Sequence, residues 1–261
     1  MRLLKYDEHG EVFLTEDLLG KDEIPPYAIL SHTWGNEEVT FEDLTNGTGR
    51  GKNGHEKIRF CMQQAARDGL HYSWVDTCCI KKTDTTELQH AINSMFRWYK
   101  EATVCYVFLT DVSTGKRKFD SESCLASWEP AFRASRWFTR GWTLQELLAP
   151  RNVIFFSREG KMLGGIPKLL DILRGVTNLP VAVLKGTSLN EFRIEERLAW
   201  TKDRTTTREE DKAYSLLGLC GIFMPLIYGE GEANAFRRLR KEIRERRYAT
   251  QGKTSPILVL D

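Results

Sequence analysis

The chain has 261 residues, 41% of them hydrophobic. That is enough apolar material for one large domain, or one domain with a second layer, and it excludes general disorder. Its 38 basic and 36 acidic residues leave a net charge of +2, so the overall balance gives no reason to expect nucleic acid or an anionic membrane as partner.

Residues 1–7 contain no apolar run of signal-peptide length, and no stretch approaches a membrane span, which points to a soluble, cytoplasmic protein. Tyr27 to His32 follow a Pro25-Pro26 turn and read as a buried strand. A polar loop is expected from Asn36 to His55. Ile58, Cys61, Met62 and Ala65 then repeat at helical spacing up to Gly69. Residues 72–80 read as a second strand, Leu88, Ile92, Met95 and Tyr99 as a helix, and residues 104–109 as a third strand covered on both faces. Residues 111–133 look irregular. A short apolar helix carrying Glu146 is expected to end at Pro150, followed by a fourth strand at 152–156.

This alternation of strand and helix predicts a parallel sheet flanked by helices. After about residue 160 the pattern becomes helical: 166–173, 193–200, 211–219 and an amphipathic 232–247. The expected division is an α/β core over 1–160, a helical extension over 161–250, and the start of a linker at 251–261. The last five residues, Ile257 to Asp261, are apolar and β-prone, so more protein is expected downstream.

In parallel sheets ligands gather at the carboxyl ends of the strands. That rule selects Ser31, His32, Thr33, Trp34 and Gly35, then Asp76 to Ile80, then Asp111 onward, then the loop before Glu146. Hydroxyls and a glycine backbone suit phosphate or ribose, and Trp34 suits stacking on a ring. The alternative is a hydrogen-bonded turn anchored by a buried Trp. Trp142 lies four residues before Glu146, and a lone acid beside an aromatic suits cleavage of a nucleotide–sugar bond. The alternative there is core packing, with Glu146 as a solvated helix residue. Cys78 and Cys79 with a distant His make a cysteine hydrolase conceivable, against six scattered, reduced, buried thiols with no zinc spacing. No metal is expected. Asp203 or Thr207 is expected to cap the helix after residue 210, with Arg204 and Arg208 pairing with acids or a phosphate. The Pro- and Gly-rich turn 224–231 is expected to dock the last helix.

The strings YAILSHTWG (27–35), WVDTCCI (74–80) and GWTLQELLAP (141–150), with Arg204-Thr205-Thr206 and residues 224–232, resemble the heterokaryon-incompatibility (HET) domain of filamentous fungi. The resemblance runs from Met1 to about Arg247. It implies an N-terminal effector of regulated cell death in non-self recognition and innate immunity, joined to downstream nucleotide-binding and repeat domains as in a fungal NOD-like receptor. The HET domain is in turn distantly similar to the Toll/interleukin-1 receptor (TIR) domain, which implies a flavodoxin-like sheet. In TIR enzymes a glutamate follows an aromatic turn, and the string 142–147 is similar to that pattern. The similarity gives Glu146 a catalytic role in an NAD glycohydrolase that acts on self-association. Ser31, His32, Thr33, Trp34, Gly35, Asp76 and Trp142 would then hold NAD, a substrate, with no cofactor required. A non-enzymatic oligomerising module is the alternative. One departure stands out: the family commonly has an acid after the Cys-Cys-Ile string, and this chain has Lys81.

Overall fold

The computed structural model describes residues 1–18, 24–115 and 125–251. Four buried strands form the centre of a seven-stranded sheet: β3 (Tyr27–His32), β4 (Tyr72–Trp74), β5 (Val104–Leu109) and β6 (Val153–Ser157). β3 pairs in parallel with β4 and β5, and β5 with β6. β3 and β5 are buried along their whole length, as strands covered by helices on both faces must be. The edges run the other way. β1 (Leu4–Tyr6) and β2 (Val12–Leu14) form a hairpin beside β4, and β7 (Met162–Gly165) turns back along β6. The sheet is therefore mixed rather than wholly parallel. Three- and four-residue strands are too short to leave a period in the sequence.

Along the whole sheet the order is β2-β1-β4-β3-β5-β6-β7. Within it the four parallel strands run second, first, third, fourth in chain order. The chain thus reverses direction between β3 and β5, which makes the carboxyl ends of those two strands a topological switch point.

Between the strands lie α1 (Phe41–Asn46), α2 (His55–Arg67), α3 (Thr85–Glu101), α4 (Leu125–Arg133) and α5 (Thr143–Leu148). α2 buries the expected Ile58, Cys61, Met62 and Ala65, and Gly69 follows at φ +76°, where a side chain would be strained. Asp84 caps α3, accepting from the Thr86 and Glu87 amides.

Three local expectations fail between β3 and α5. The loop 36–55 contains α1, whose Thr40–Asp43 capping box fixes its start, and a 3₁₀ turn at Gly49–Gly51. The second strand stops at Trp74, because Val75 O takes the Cys78 and Cys79 amides and closes a turn. The irregular stretch 111–133 ends in α4, where Trp128 and Phe132, one turn apart, pack edge to face despite Pro130. Residues 116–124 lie outside the described residues.

The remaining helices are α6 (Ile166–Thr177), α7 (Val181–Leu184), α8 (Ile194–Ala199), α9 (Asp211–Tyr214), α10 (Leu217–Cys220) and α11 (Gly231–Gln251). The single helix expected over 211–219 is two short ones. Neither Asp203 nor Thr207 caps α9. Glu210 occupies the cap position, and its carboxylate turns to the Gly229 and Gly231 amides at 2.7 and 3.1 Å, while the Thr207 hydroxyl accepts from Arg140. The turn before α11 docks as expected. Asn93 of α3 exchanges two hydrogen bonds with Met224, and Gln89 accepts from the Leu226 amide. The tail 252–261 lies outside the described residues.

Candidate functional site

β3 delivers its last side chains to the switch point. Ser31 is fully buried and donates its hydroxyl hydrogen to Glu146 Oε2. The same Ser31 oxygen accepts from the Trp137 indole at 2.7 Å. This chain of bonds ties β3 to α5 and to the 3₁₀ turn Arg136–Thr139 before it. Glu146 is neither solvated nor part of an apolar packing stripe: it is 7% exposed, on a six-residue helix that has four other buried residues. Its pKa is pushed up to about 8. Burial is the main cause and the charge of Asp76 adds to it, while bonds from Ser31 and Tyr99 and the charge of Arg204 oppose.

His32 and Trp34 both reach Asp76, just past the end of β4. His32 Nε2 lies 3.1 Å from one carboxylate oxygen, and the Trp34 indole N–H donates to the other at 2.9 Å. Burial works to raise the Asp76 pKa, but Lys82, His32 and the Trp34 bond outweigh it and hold the pKa below its ordinary value. Trp34 itself is 53% exposed, with the Lys82 ammonium 3.5 Å from its ring centroid. Lys82 thus covers one face of the expected stacking ring, and the rest of the side chain is exposed.

Thr33 and Gly35 anchor the next layer. Lys57 of α2 donates to the Thr33 carbonyl at 3.0 Å and pairs with Glu38, and Glu38 accepts from the Gly35 amide at 2.6 Å. Glu38 also lies 4.0 Å from His32 Nδ1, a buried atom without a hydrogen-bond partner. Beyond this layer a cleft of about 900 Å³ opens across the carboxyl ends of β3 and β5. It is bordered by Thr33, Gly35, Lys57, Thr110, Arg136 and Arg158. Glu37, Glu38, Glu56 and Glu159 line it too.

Seven of the eight residues singled out from sequence therefore sit at one end of the sheet. Trp142 points elsewhere. It precedes the first residue of α5, is half-buried, and hydrogen-bonds Asp211 of α9. The loop 140–143 is held instead by the helical layer. Arg204 donates to the Arg140 carbonyl and the Thr143 hydroxyl, both at 2.8 Å, and Gly141 donates to Thr205 at 2.9 Å. Arg204 thus serves the backbone, and burial lowers its own pKa to about 10. Trp137, Tyr99, Lys82, Glu38 and Lys57 complete the site and were not expected. Their only trace in the sequence is proximity to a strand end or to an apolar helix stripe.

Cys78 and Cys79 are buried behind this cluster, and burial raises the Cys78 thiol far above its usual range. Among the described residues, no group of three or more His, Cys, Asp or Glu could hold a metal ion. Nor is any helix long and apolar enough to cross a membrane.

Residues 27–132 match the family described as heterokaryon incompatibility protein (HET). They contain the switch-point strands and six of the eight expected residues: Ser31 to Gly35 and Asp76. Those residues belong to the HET family. Vegetative incompatibility protein HET-E-1 of Podospora anserina is 55% identical to this chain over 245 residues, which cover 93% of it. The chain spans only 18% of the length of that relative. No solved structure gives a significant match. The HET match ends at residue 132, before Glu146, whereas the HET-E-1 similarity covers most of the chain.

Proposed function

We propose that this HET domain is the death-executing module of a fungal incompatibility protein, acting in the cytoplasm by hydrolysing NAD once it self-associates. The observation that carries this reading is the bond between Ser31 and Glu146, which sets a buried acid against the end of the opening strand, beside the His32–Asp76–Trp34 cluster. A carboxylate there would stabilise the oxocarbenium-like ribose as the bond to nicotinamide breaks, and water would add to the sugar to give ADP-ribose, nicotinamide and a proton. Trp34 offers a ring face. Lys57, Arg136 and Arg158 border the adjoining cleft, where a pyrophosphate would compete with their carboxylate partners Glu38, Asp111 and Glu159.

With a pKa of about 8, Glu146 is mostly neutral and bonded to Ser31 at neutral pH. A neutral acid stabilises a cation poorly, so the resting monomer is silent. Assembly with further copies, driven by the downstream receptor domains, would open Glu146 to water and ionise it. The TIR-like relation supports the same reading through the flavodoxin-like order of the parallel strands.

Nicotinamide release from NAD, followed by liquid chromatography on protein clustered through a fused oligomerising tag, tests this. Release by the clustered form, little from the monomer and none from clustered Glu146→Ala is the expected result.

One observation favours a second reading, a non-enzymatic module that recruits another effector: Glu146 borders neither large cleft. In that case clustered protein leaves NAD intact, and Glu146→Gln kills fungal cells as well as the parent does.

A further inference from the structure

At the opposite end of the sheet from Ser31, a second cleft of about 1370 Å³ lies between the amino end of β6 and the helical layer. One part of its wall is aliphatic and aromatic: Leu148, Leu170, Val183, Leu184, Phe192 and Ile243. The charges on it are all of one sign. Lys100, Arg151 and Lys185 border it, as do Arg193 and Arg197 around the start of α8, and Arg246 and Arg247 of α11. No Asp or Glu is among the described residues that line it. In a chain with 38 basic and 36 acidic residues, an all-cationic lining is a local arrangement and not a reflection of overall charge.

Two details make this more than a basic surface. Arg197 is 8% exposed, and its guanidinium is aimed by the Phe192 and Leu219 carbonyls at 3.2 and 2.8 Å. Burial lowers the pKa of this guanidinium from its ordinary value, and the two carbonyls hold it in place beside the apolar wall. Two acids sit just outside the lining: Glu196 accepts from the Arg193 backbone amide at 2.7 Å, and Glu195 lies 3.9 Å from the Arg193 side chain and 3.6 Å from Arg247. Those longer pairs are half- or fully exposed, so they hold the two arginines loosely.

We infer that this cleft is a binding site for a single-chain anionic amphiphile: a phosphate or phosphate-like head among the arginines, with its alkyl chain along the Leu148–Leu184–Ile243 wall. The volume exceeds the usual range of small-molecule pockets, roughly 300–1,000 Å³, and so leaves room for a head and a chain together. Both halves of the lining are needed. A free phosphate would use only the cations, and a neutral lipid only the wall. The inference is independent of NAD chemistry, because the cleft shares no residue with the switch-point site.

The test is isothermal calorimetry on the whole chain with decyl, dodecyl and tetradecyl phosphate, each below its micelle concentration, and with inorganic phosphate and an uncharged alkyl glucoside as controls. Burial of the chain predicts that affinity rises by up to about fourfold per added methylene. Inorganic phosphate and the glucoside should bind at least about tenfold more weakly. Lys185→Glu with Arg193→Glu, a pair at exposed positions chosen to leave folding intact, should weaken the dodecyl ligand by at least about tenfold, with the melting temperature of the unliganded protein confirming the fold. Affinity without chain-length dependence, equal affinity for the glucoside, or binding unchanged by the double charge reversal would each overturn the assignment.

Discussion

Ser31 and Glu146 are 115 residues apart in sequence and share one buried hydrogen bond. That bond joins the first parallel strand to the helix that follows the third. Its acid titrates at about 8 against an ordinary 4.5, chiefly because it is buried. The folded protein therefore holds this proton more tightly than the unfolded chain does. The associated stability is complete below the unfolded pKa of 4.5 and is lost as pH rises towards 8. Urea unfolding of the parent should lose stability over that window, by on the order of a few kcal/mol. Glu146→Gln, which cannot ionise, should lack this component and be the more stable protein at about pH 9. Parallel stability curves for the two proteins would remove the case for a neutral buried acid.

Asp76 is the shared acceptor of His32 and Trp34 and the counter-charge of Lys82. Asp76→Ala leaves a buried imidazole and an indole N–H without that partner. The expected cost is about 1–3 kcal/mol. The indole proton of Trp34, assigned in an NMR spectrum by Trp34→Phe, should shift and exchange faster with water. If the resonance stayed put, Trp34 would owe its position to Lys82 and not to Asp76.

The parallel strands were legible because burial on both faces leaves unbroken apolar runs such as Val104 to Leu109, and the switch point followed from their order. The strand ends then selected Ser31, His32 and Asp76 without coordinates. Trp142 illustrates the limit. Its backbone is helical and its four-residue spacing from Glu146 holds, yet its indole is taken up by Asp211 of α9. The loop before it is held by Arg204 and Thr205, more than sixty residues away, and no local pattern encodes that contact. Trp137 was missed for the same kind of reason. Its bond to Ser31 spans 106 residues, and an aromatic in a 3₁₀ turn has no period to betray it.

The cysteines offer a check on any thiol-based mechanism. Cys61, Cys78, Cys79, Cys105 and Cys220 are all buried. Burial pushes Cys61 up to about 12 and Cys220 up to about 11, and the other two with resolved shifts, Cys78 and Cys105, far above the usual thiol value. Thiolate is the reactive form, so native protein at mildly alkaline pH should leave these five unmodified by iodoacetamide, and denatured protein should be modified at all of them. Peptide mass spectrometry reads each site separately. Rapid native labelling of Cys78 or Cys79 would reopen the cysteine-hydrolase alternative.

Gly218 measures how tightly the helical layer seals the core. It lies in α10 where that helix crosses α3, and a Cβ placed on it would stand 2.0 Å from Phe96 Cβ and 2.4 Å from Cγ. Its backbone does not occupy the left-handed region, so the constraint is close approach and not conformational freedom. Gly218→Ala must push the two helices apart, at a cost of typically 1–3 kcal/mol. Trimming the ring does not relieve the contact, because the nearest atom is the β-carbon that Phe96→Ala retains. The double variant Gly218→Ala with Phe96→Ala should therefore melt lower than either single variant, and a melting temperature restored above that of Gly218→Ala would show that the ring, rather than the helix spacing, sets the clash.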